Sequence, residues 1–594
     1  MRRYFPVALG MTLAVFMWRR LGLTLKGILS YGLVTLVWMT VHNVLSYVAY
    51  HATEVNNNNY MDVAFGGYIF IITMGVTNFI AYKWKKIPSI YTMILSLAQF
   101  LLLLLPFTEI AYFINYGTVI SNAAAIALLQ TNPGEMKEYL IQNIGWGGIV
   151  AIGIGAVLVL TALYVLNKRT HGMTFSKDVE SIGRDKTEMD HRDKGHISTH
   201  SVSKTVLILN VLFLLGALVY IPKSLPDTGV MHSMMEAKNY LANAKKFEVY
   251  HDENLAKLQV STGNKQFSKP STIILVIGES AGRNFMSVYG YVGNDTTPWL
   301  REMVTNDGNN FLKFNHAYSS YGSTIQALEQ ALTEKNQYND KEFSQAFTII
   351  DLAKKAGYKT YWFSNQSVKN TTDTPIQLVA RTADVHHWIE DEPVGKERIL
   401  YDGDLLPMLE RVNPNENNFI VLHVMGSHEL TLHRFPPEFT RFSEPGVFDL
   451  VSNYEDSMAY DDWFLQQVFE YAESHLNLQA MMFFSDHGAN PYRKRVADNV
   501  PFINFRIPLI IYLSDEYQSL YPDTTAALKS HENQYFTNDL MYELVGGVLN
   551  IKSNHLDETS NFASPSYKFT RDTLKTDLGR KSLTEDVSED TIEK

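Results

Sequence analysis

Residues 272–280 read TIILVIGES. Ile273 to Ile277 are apolar without alternation, so a strand here must be buried on both faces, as in the parallel sheets of α/β domains. The run stops at Gly278, and Glu279 and Ser280 follow at its carboxyl end, where ligands bind in such sheets. Four further runs have the same character: YKTYWFS (358–364), NFIVLHV (418–424), AMMFFS (480–485) and PLIIYL (508–513). Helix-like segments such as Phe343 to Ala356 and Tyr454 to Ser474 lie between them. Strands alternating with helices predict an α/β domain with a mostly parallel central sheet. The residues just past each run become the candidate site: Glu279-Ser280, Asn365-Gln366, His423 through His428, and Asp486-His487.

Upstream of residue 223 the pattern is different. Five stretches, roughly 27–50, 64–82, 89–107, 144–166 and 205–222, are long and apolar enough to cross a bilayer, which takes ~20 residues. The segments before the first span, between the second and third, and at 168–204 carry 16 Lys/Arg in all. The alternate loops 51–63 and 108–143 carry only Lys137. That asymmetry predicts a cytoplasmic N-terminus and puts everything after Pro222 on the other side of the membrane. Tyr4 to Trp18 is shorter and reads as an interfacial segment. The expected organisation is a transmembrane domain (1–222), a linker (223–265), a catalytic domain (266–554) and a polar C-terminal tail (555–594). The tail is charged, has little to bury and is expected to be mobile.

Composition narrows the chemistry. The 594 residues are enough for two domains or more. A net charge of -11 argues against a nucleic-acid partner, because no basic face is offered to phosphates. The absence of cysteine removes disulfides, a thiolate zinc site and a cysteine nucleophile. No feature sets an oligomeric state. Asp486-His487 in FFSDHGAN sits directly after a strand and can present oxygen and nitrogen ligands to one metal from a tight turn; zinc accepts such a mixed set. Glu279, at another strand end, can add an oxygen. In HVMGSHEL, His423 reads as a buried strand histidine, while His428, past the strand on a Gly-Ser turn, is the better candidate for a ligand or phosphate-binding group.

The ordered set GES, AGYKTYWFSNQ, YDGDLLP, LHVMGSH, HRFPPEF, NYEDSMAYDDWFL and SDHG resembles the membrane-bound phosphoethanolamine transferases of Gram-negative envelopes, in the alkaline phosphatase/sulfatase superfamily. The likeness runs through 27–550 and includes LLQTNPGEMKEYL in the second outer loop. It implies that Glu279 is a zinc ligand and that the nucleophile is Thr324, in YGSTIQALEQALT, instead of Ser280. A helix start is suited to that role, since its free N–H groups attract phosphate. The implied zinc site is Glu279, Thr324, Asp486 and His487. The implied reaction takes phosphoethanolamine from phosphatidylethanolamine through a covalent phospho-threonine to an envelope glycolipid, lipopolysaccharide core or lipid A. Thr131 and Glu135 match residues that would hold the ethanolamine head group, and an amphipathic surface helix with a threonine cap explains them equally well.

There are departures from the family pattern. Ala489 follows SDHG where the family usually has Glu, and no histidine occurs between His487 and His531. One zinc site is therefore expected and a second lacks its histidine; Arg493, Lys494 or Arg495 could take over phosphate charge. Ala127 replaces a polar residue that often precedes the Thr131 motif, and the family's disulfides are absent. The rival functions are a phosphoglycerol transferase of the same fold, acting on glucan or teichoic-type acceptors, a tethered sulfatase or phosphatase, and a non-catalytic sensor. Glu135 favours ethanolamine over glycerol, since only the former offers an ammonium. A sulfatase's modified nucleophile lacks its sequence setting around Ser280 and Ser323. The retained Glu279, Thr324, Asp486 and His487 oppose a sensor.

Overall fold

The structure, a computed structural model, describes residues 4–20, 25–50, 61–84, 88–130, 136, 144–184, 204–263, 266–366, 373–391, 399–493 and 500–589. The chain divides into two compact units, one of Met1–Ile126 with Tyr139–Lys238, the other of Ala127–Glu138 with Asn239–Lys594. Among the described residues of the first unit, five helices are long and apolar enough to cross a membrane: Leu25–Tyr50, Asp62–Trp84, Ser89–Tyr116, Gly145–Arg184 and Lys204–Ser224. Each matches one of the expected spans to within a residue at its start or contains it, and all run past it at one end or both, because helices need not stop where hydropathy does. Phe5–Arg20 is also helical; Val7 and Ala14 are buried, and Val7 lies against Gly67 of the Asp62–Trp84 helix, while Phe5, Leu9 and Phe16 stay exposed. One face of the expected interfacial segment is thus packed on the bundle. Polar groups inside this unit pair with each other, as His42 Nδ1 with Glu109 Oε1 at 2.5 Å and Asn167 Nδ2 with Gln99 Oε1 at 2.7 Å.

The second unit is built on a seven-stranded sheet: β1 (Thr272–Gly278), β2 (Phe311–Lys313), β3 (Lys359–Ser364), β4 (Val385–Trp388), β5 (Asn418–His423), β6 (Leu478–Ser485) and β7 (Leu509–Leu513). Their order is β2-β7-β6-β1-β5-β3-β4. Neighbours from β6 through β4 are parallel, and β7 runs antiparallel to both β6 and β2. The reading of TIILVIG is borne out in detail. Ile273, Leu275 and Ile277 enter one core cluster, Ile274 and Val276 enter another on the opposite face, and all five are fully buried. Burying each side chain contributes about 1.5–3 kcal/mol, so β1 at the sheet centre is where the domain is anchored.

Two sequence expectations are corrected. The 223–265 segment is not an open linker. It forms helices Gly229–Ala244 and Lys246–Leu255, Phe247 is buried against Phe343, and Val260–Thr262 pairs antiparallel with Ile551–Ser553. The division between units falls inside the first of these helices, after Lys238. Nor is the tail a loose polar extension over its described part, 555–589. Phe562, Ala563, Phe569, Leu574 and Leu583 join the larger core cluster. Asp586 forms a two-pronged ion pair with buried Arg506, at 2.6 and 2.9 Å. A buried guanidinium requires such a partner. A few apolar residues spread through a polar segment register weakly in composition yet fill holes in a core made elsewhere.

Candidate active site

Strand register creates the site. β1 and β6 are parallel neighbours with Gly278 opposite Ser485, so Glu279 and Asp486 leave the sheet side by side. The ladder continues one step further, the Asp486 N–H donating to Gly278 O at 3.0 Å. Beyond β1 the chain turns sharply, and Ser280 takes a left-handed conformation, φ 62°. Such backbone is unfavourable for a residue with a Cβ and persists where surrounding contacts over-determine it. Here the Ser280 N–H donates to Asp486 Oδ1 at 2.9 Å, the Tyr454 hydroxyl donates to Ser280 O at 2.7 Å, and it accepts from the Gly282 N–H at 2.9 Å. The Ser280 hydroxyl donates to Glu279 Oε1 at 2.5 Å.

Thr324 opens the helix Thr324–Ala331, after Ser323 in extended conformation. The buried Ala327, Leu328 and Ala331 hold that helix to the domain. Its first hydroxyl points to the strand ends: Thr324 Oγ1 donates to Glu279 Oε2 at 2.9 Å and lies 3.5 Å from His487 Nε2. Ligand atoms of Glu279, Asp486 and His487, all buried, fall within 4.8 Å of one another. The structure therefore assembles all four residues of the expected set.

These residues fit a divalent cation. His487 Nδ1 donates to Gly488 O at 2.9 Å, so in the neutral ring Nε2 carries the lone pair. That lone pair faces two carboxylate oxygens, Glu279 Oε1 at 3.5 Å and Asp486 Oδ2 at 3.4 Å. Among the described residues, no hydrogen bond is donated to the buried Asp486 Oδ2. Burial pushes the Asp486 carboxyl upward, against the hydrogen bonds it accepts. Buried acceptors facing each other need positive charge between them, and one nitrogen with several oxygens suits zinc.

Supporting groups extend the site. Ser319 Oγ donates to Asp486 O at 2.5 Å and Asn538 Nδ2 to the same oxygen at 2.9 Å. Buried Asp402 accepts from the Met425 and Gly426 N–H groups at 2.8 and 2.9 Å, holding the turn after β5. The Ser427 N–H in turn donates to Glu279 O at 2.9 Å. Tyr454 and Asp402 lie in the family-like stretches NYEDSMAYDDWFL and YDGDLLP, which sequence reading picked out without giving those residues a role. Ser319 and Asn538 left no signal of their own.

Of the other expected residues, His423 is a buried strand histidine as read. Burial pushes its ring down to about 3, keeping it neutral, and Nδ1 lies 3.2 Å from Ser364 Oγ. His428 sits on the turn two residues past Gly426 and is partly buried. Arg493 is exposed. Thr131, Glu135, Lys494 and Arg495 lie outside the described residues.

Residues 271–548 match the sulfatase family. The match spans the whole seven-stranded sheet and contains Glu279, Thr324, Asp486 and His487. The chain is similar to the phosphoethanolamine transferase EptC of Escherichia coli K12, 24% identical over 491 residues, 78% of this chain and 80% of the relative. It is also 24% identical over 494 residues to the phosphoethanolamine transferase CptA of Salmonella typhimurium, with the same coverage. Among solved structures, the integral membrane lipooligosaccharide phosphoethanolamine transferase A of Neisseria meningitidis aligns over 91% of this chain and 98% of its own. At a TM-score of 0.53 and 17% identity that likeness concerns the fold alone.

Proposed function

We propose that the protein transfers phosphoethanolamine from phosphatidylethanolamine to an envelope glycolipid, lipopolysaccharide core or lipid A, through a covalent adduct on Thr324. The placement of Thr324 Oγ1 carries the reading. It is a hydroxyl at a helix start, 2.9 Å from Glu279 Oε2, beside a buried set of metal-type ligands. A hydroxyl in that position can approach a phosphorus atom while N–H groups of the helix start face the phosphoryl oxygens. Thr324 Oγ would bond to phosphorus as the bond to the diacylglycerol oxygen breaks, and diacylglycerol leaves with a proton. An acceptor hydroxyl then attacks the same phosphorus and releases Thr324. The Thr324 hydroxyl already donates its hydrogen bond to Glu279 Oε2. Zinc held by Glu279, Asp486, His487 and Thr324 would supply charge stabilisation to the phosphoryl oxygens and acidify the threonine hydroxyl. His428 would face the phosphate, and Thr131 with Glu135 would receive the donor ammonium.

The names of the similar transferases and the five apolar helices support a lipid donor met at a membrane. The lysine and arginine asymmetry of the loops supports placement in a bacterial inner membrane with the sulfatase domain in the periplasm. The test is intact mass spectrometry of the full chain mixed with phosphatidylethanolamine. A phosphoethanolamine adduct on Thr324 that disappears when lipopolysaccharide is added is the expected result. Glu135→Gln should slow adduct formation and leave the second transfer unchanged. An adduct formed only from phosphatidylglycerol, or located on Ser280, overturns the reading.

A further inference from the structure

Beyond the sulfatase match the chain forms a short hairpin, Lys575–Thr576 paired antiparallel with Lys581–Ser582. Its turn is strained: Asp577, Leu578 and Gly579 are consecutive left-handed residues, at φ 56°, 55° and 83°. Such a turn is kept only where its contacts hold it; some tie it to Gln337 and Tyr338, and three reach backbone carbonyls of the segments around the active site. Thr576 Oγ1 donates to Ser319 O at 2.6 Å, and the Leu578 N–H donates to Ser320 O at 2.9 Å. Ser319 and Ser320 lead into Thr324, and the Ser319 hydroxyl holds the carbonyl of Asp486 at 2.5 Å. On the other strand, Lys581 Nζ donates to Val500 O at 2.6 Å. Val500 packs on Gly322, where an added Cβ would come within 2.8 Å of it. One hairpin thus grips the loop before the nucleophile and the segment that packs against it.

Anchoring the tail does not require these grips. Phe562, Phe569, Leu574 and Leu583 already bury it, and Asp586 already pairs with Arg506. The grips are polar, aimed at backbone carbonyls, and made by a turn in unfavourable conformation. We infer that the hairpin Lys575–Ser582 is a clasp that positions Thr324 and Asp486 for transfer, with Thr576 and Lys581 as its positioning residues. The inference rests on the proposed transfer for its kinetic arm only.

The test uses the full chain with three substitutions. Thr576→Val keeps the shape and removes the donor, Thr576→Ser restores it, and Lys581→Met removes the second grip from a partly exposed position that leaves the core intact. Hydrogen–deuterium exchange is read in peptides covering 317–324 and 484–490, with 272–278 as the internal reference. Transfer is read as kcat and KM with phosphatidylethanolamine. Thr576→Val is expected to speed exchange in the two loop peptides and not in β1. It should also lower kcat by about tenfold with KM unchanged, since small misplacements of reacting groups are costly. Thr576→Ser should behave as the wild type, and Lys581→Met should repeat the loop effect, which keeps the test decisive if Thr576→Val does not fold. Unchanged exchange in the loop peptides, equal acceleration in β1, or failure of Thr576→Ser to restore the rate would each overturn the clasp. If the wild type forms no phosphoethanolamine adduct, the functional reading fails while the exchange data still decide the clasp.

Discussion

Ser280 and Thr324 both reach Glu279, and their surroundings separate their roles. Ser280 Oγ is fully buried and committed to Glu279 Oε1 within a turn that several hydrogen bonds hold. Thr324 Oγ1 is only partly buried and stands at a helix start between Glu279 and His487. Thr324→Ala should therefore abolish adduct formation. Ser280→Ala removes one hydrogen bond to a carboxylate, worth about 1.5–3 kcal/mol, and should leave reduced but measurable turnover. Rates measured on zinc-loaded proteins with matched circular dichroism check both. An inactive Ser280→Ala beside an active Thr324→Ala would reverse the assignment. At this scale the sequence was legible where the residue type carries the chemistry, as with Asp486 and His487. It was silent on Ser319 and Asn538, because serine and asparagine occur in many loops and only the fold brings these two to Asp486 O.

Two elements give predictions of their own. The turn after β5 passes so close to Glu279 that a Cβ on Gly426 would lie 2.8 Å from Glu279 O, and Gly426 is itself left-handed at φ 49°. Gly426→Ala should destabilise the domain by about 1–3 kcal/mol and weaken zinc retention, measured by thermal unfolding and by metal release to a chelator. The C-terminal tail gives a pH dependence. Burial alone would raise the Glu589 carboxyl, but hydrogen bonds from His316 and Tyr535 and the nearby Arg571 charge outweigh it and bring it down to about 2. A folded value below the unfolded one stabilises fully above the ordinary carboxylate range, about 4.3. That contribution is lost as pH falls through about 2. Glu589→Gln should lower stability at neutral pH and flatten its decline between about pH 4.5 and 2, followed by denaturant melts at several pH values. Equal slopes for the two proteins would sink that account.

At the scale of the whole molecule, the second unit has its own two-faced core and all four expected zinc-site residues. A fragment beginning at Asn239 should fold and retain about one zinc, the number expected for the group formed by Glu279, Thr324, Asp486 and His487. One beginning at residue 266 would lack Phe247 and the Val260–Thr262 pairing with Ile551–Ser553. That shorter fragment should be less stable or insoluble. Circular dichroism and metal analysis of the two fragments decide this, and equal stability would show that the helices of 229–255 add nothing to the core.

The amino-acid sequence by itself determined the class of each half. Unbroken apolar runs of strand length can only be buried on both faces, and unbroken runs of span length suit a bilayer, so TIILVIG and the five N-terminal stretches were readable without coordinates. Strand ends followed by Glu279, Asp486 and His487 were equally readable, since those residue types are costly to bury without a partner. Three things were decided only by the tertiary structure. One is the β1–β6 register that sets Gly278 opposite Ser485 and so brings two carboxylates together. Another is the packing of the 555–589 tail into the core. The third is the route by which Thr576 and Ser319 reach Asp486. Each depends on residues far apart in the chain meeting through shape and hydrogen bonding, and composition and periodicity record only what is near in sequence.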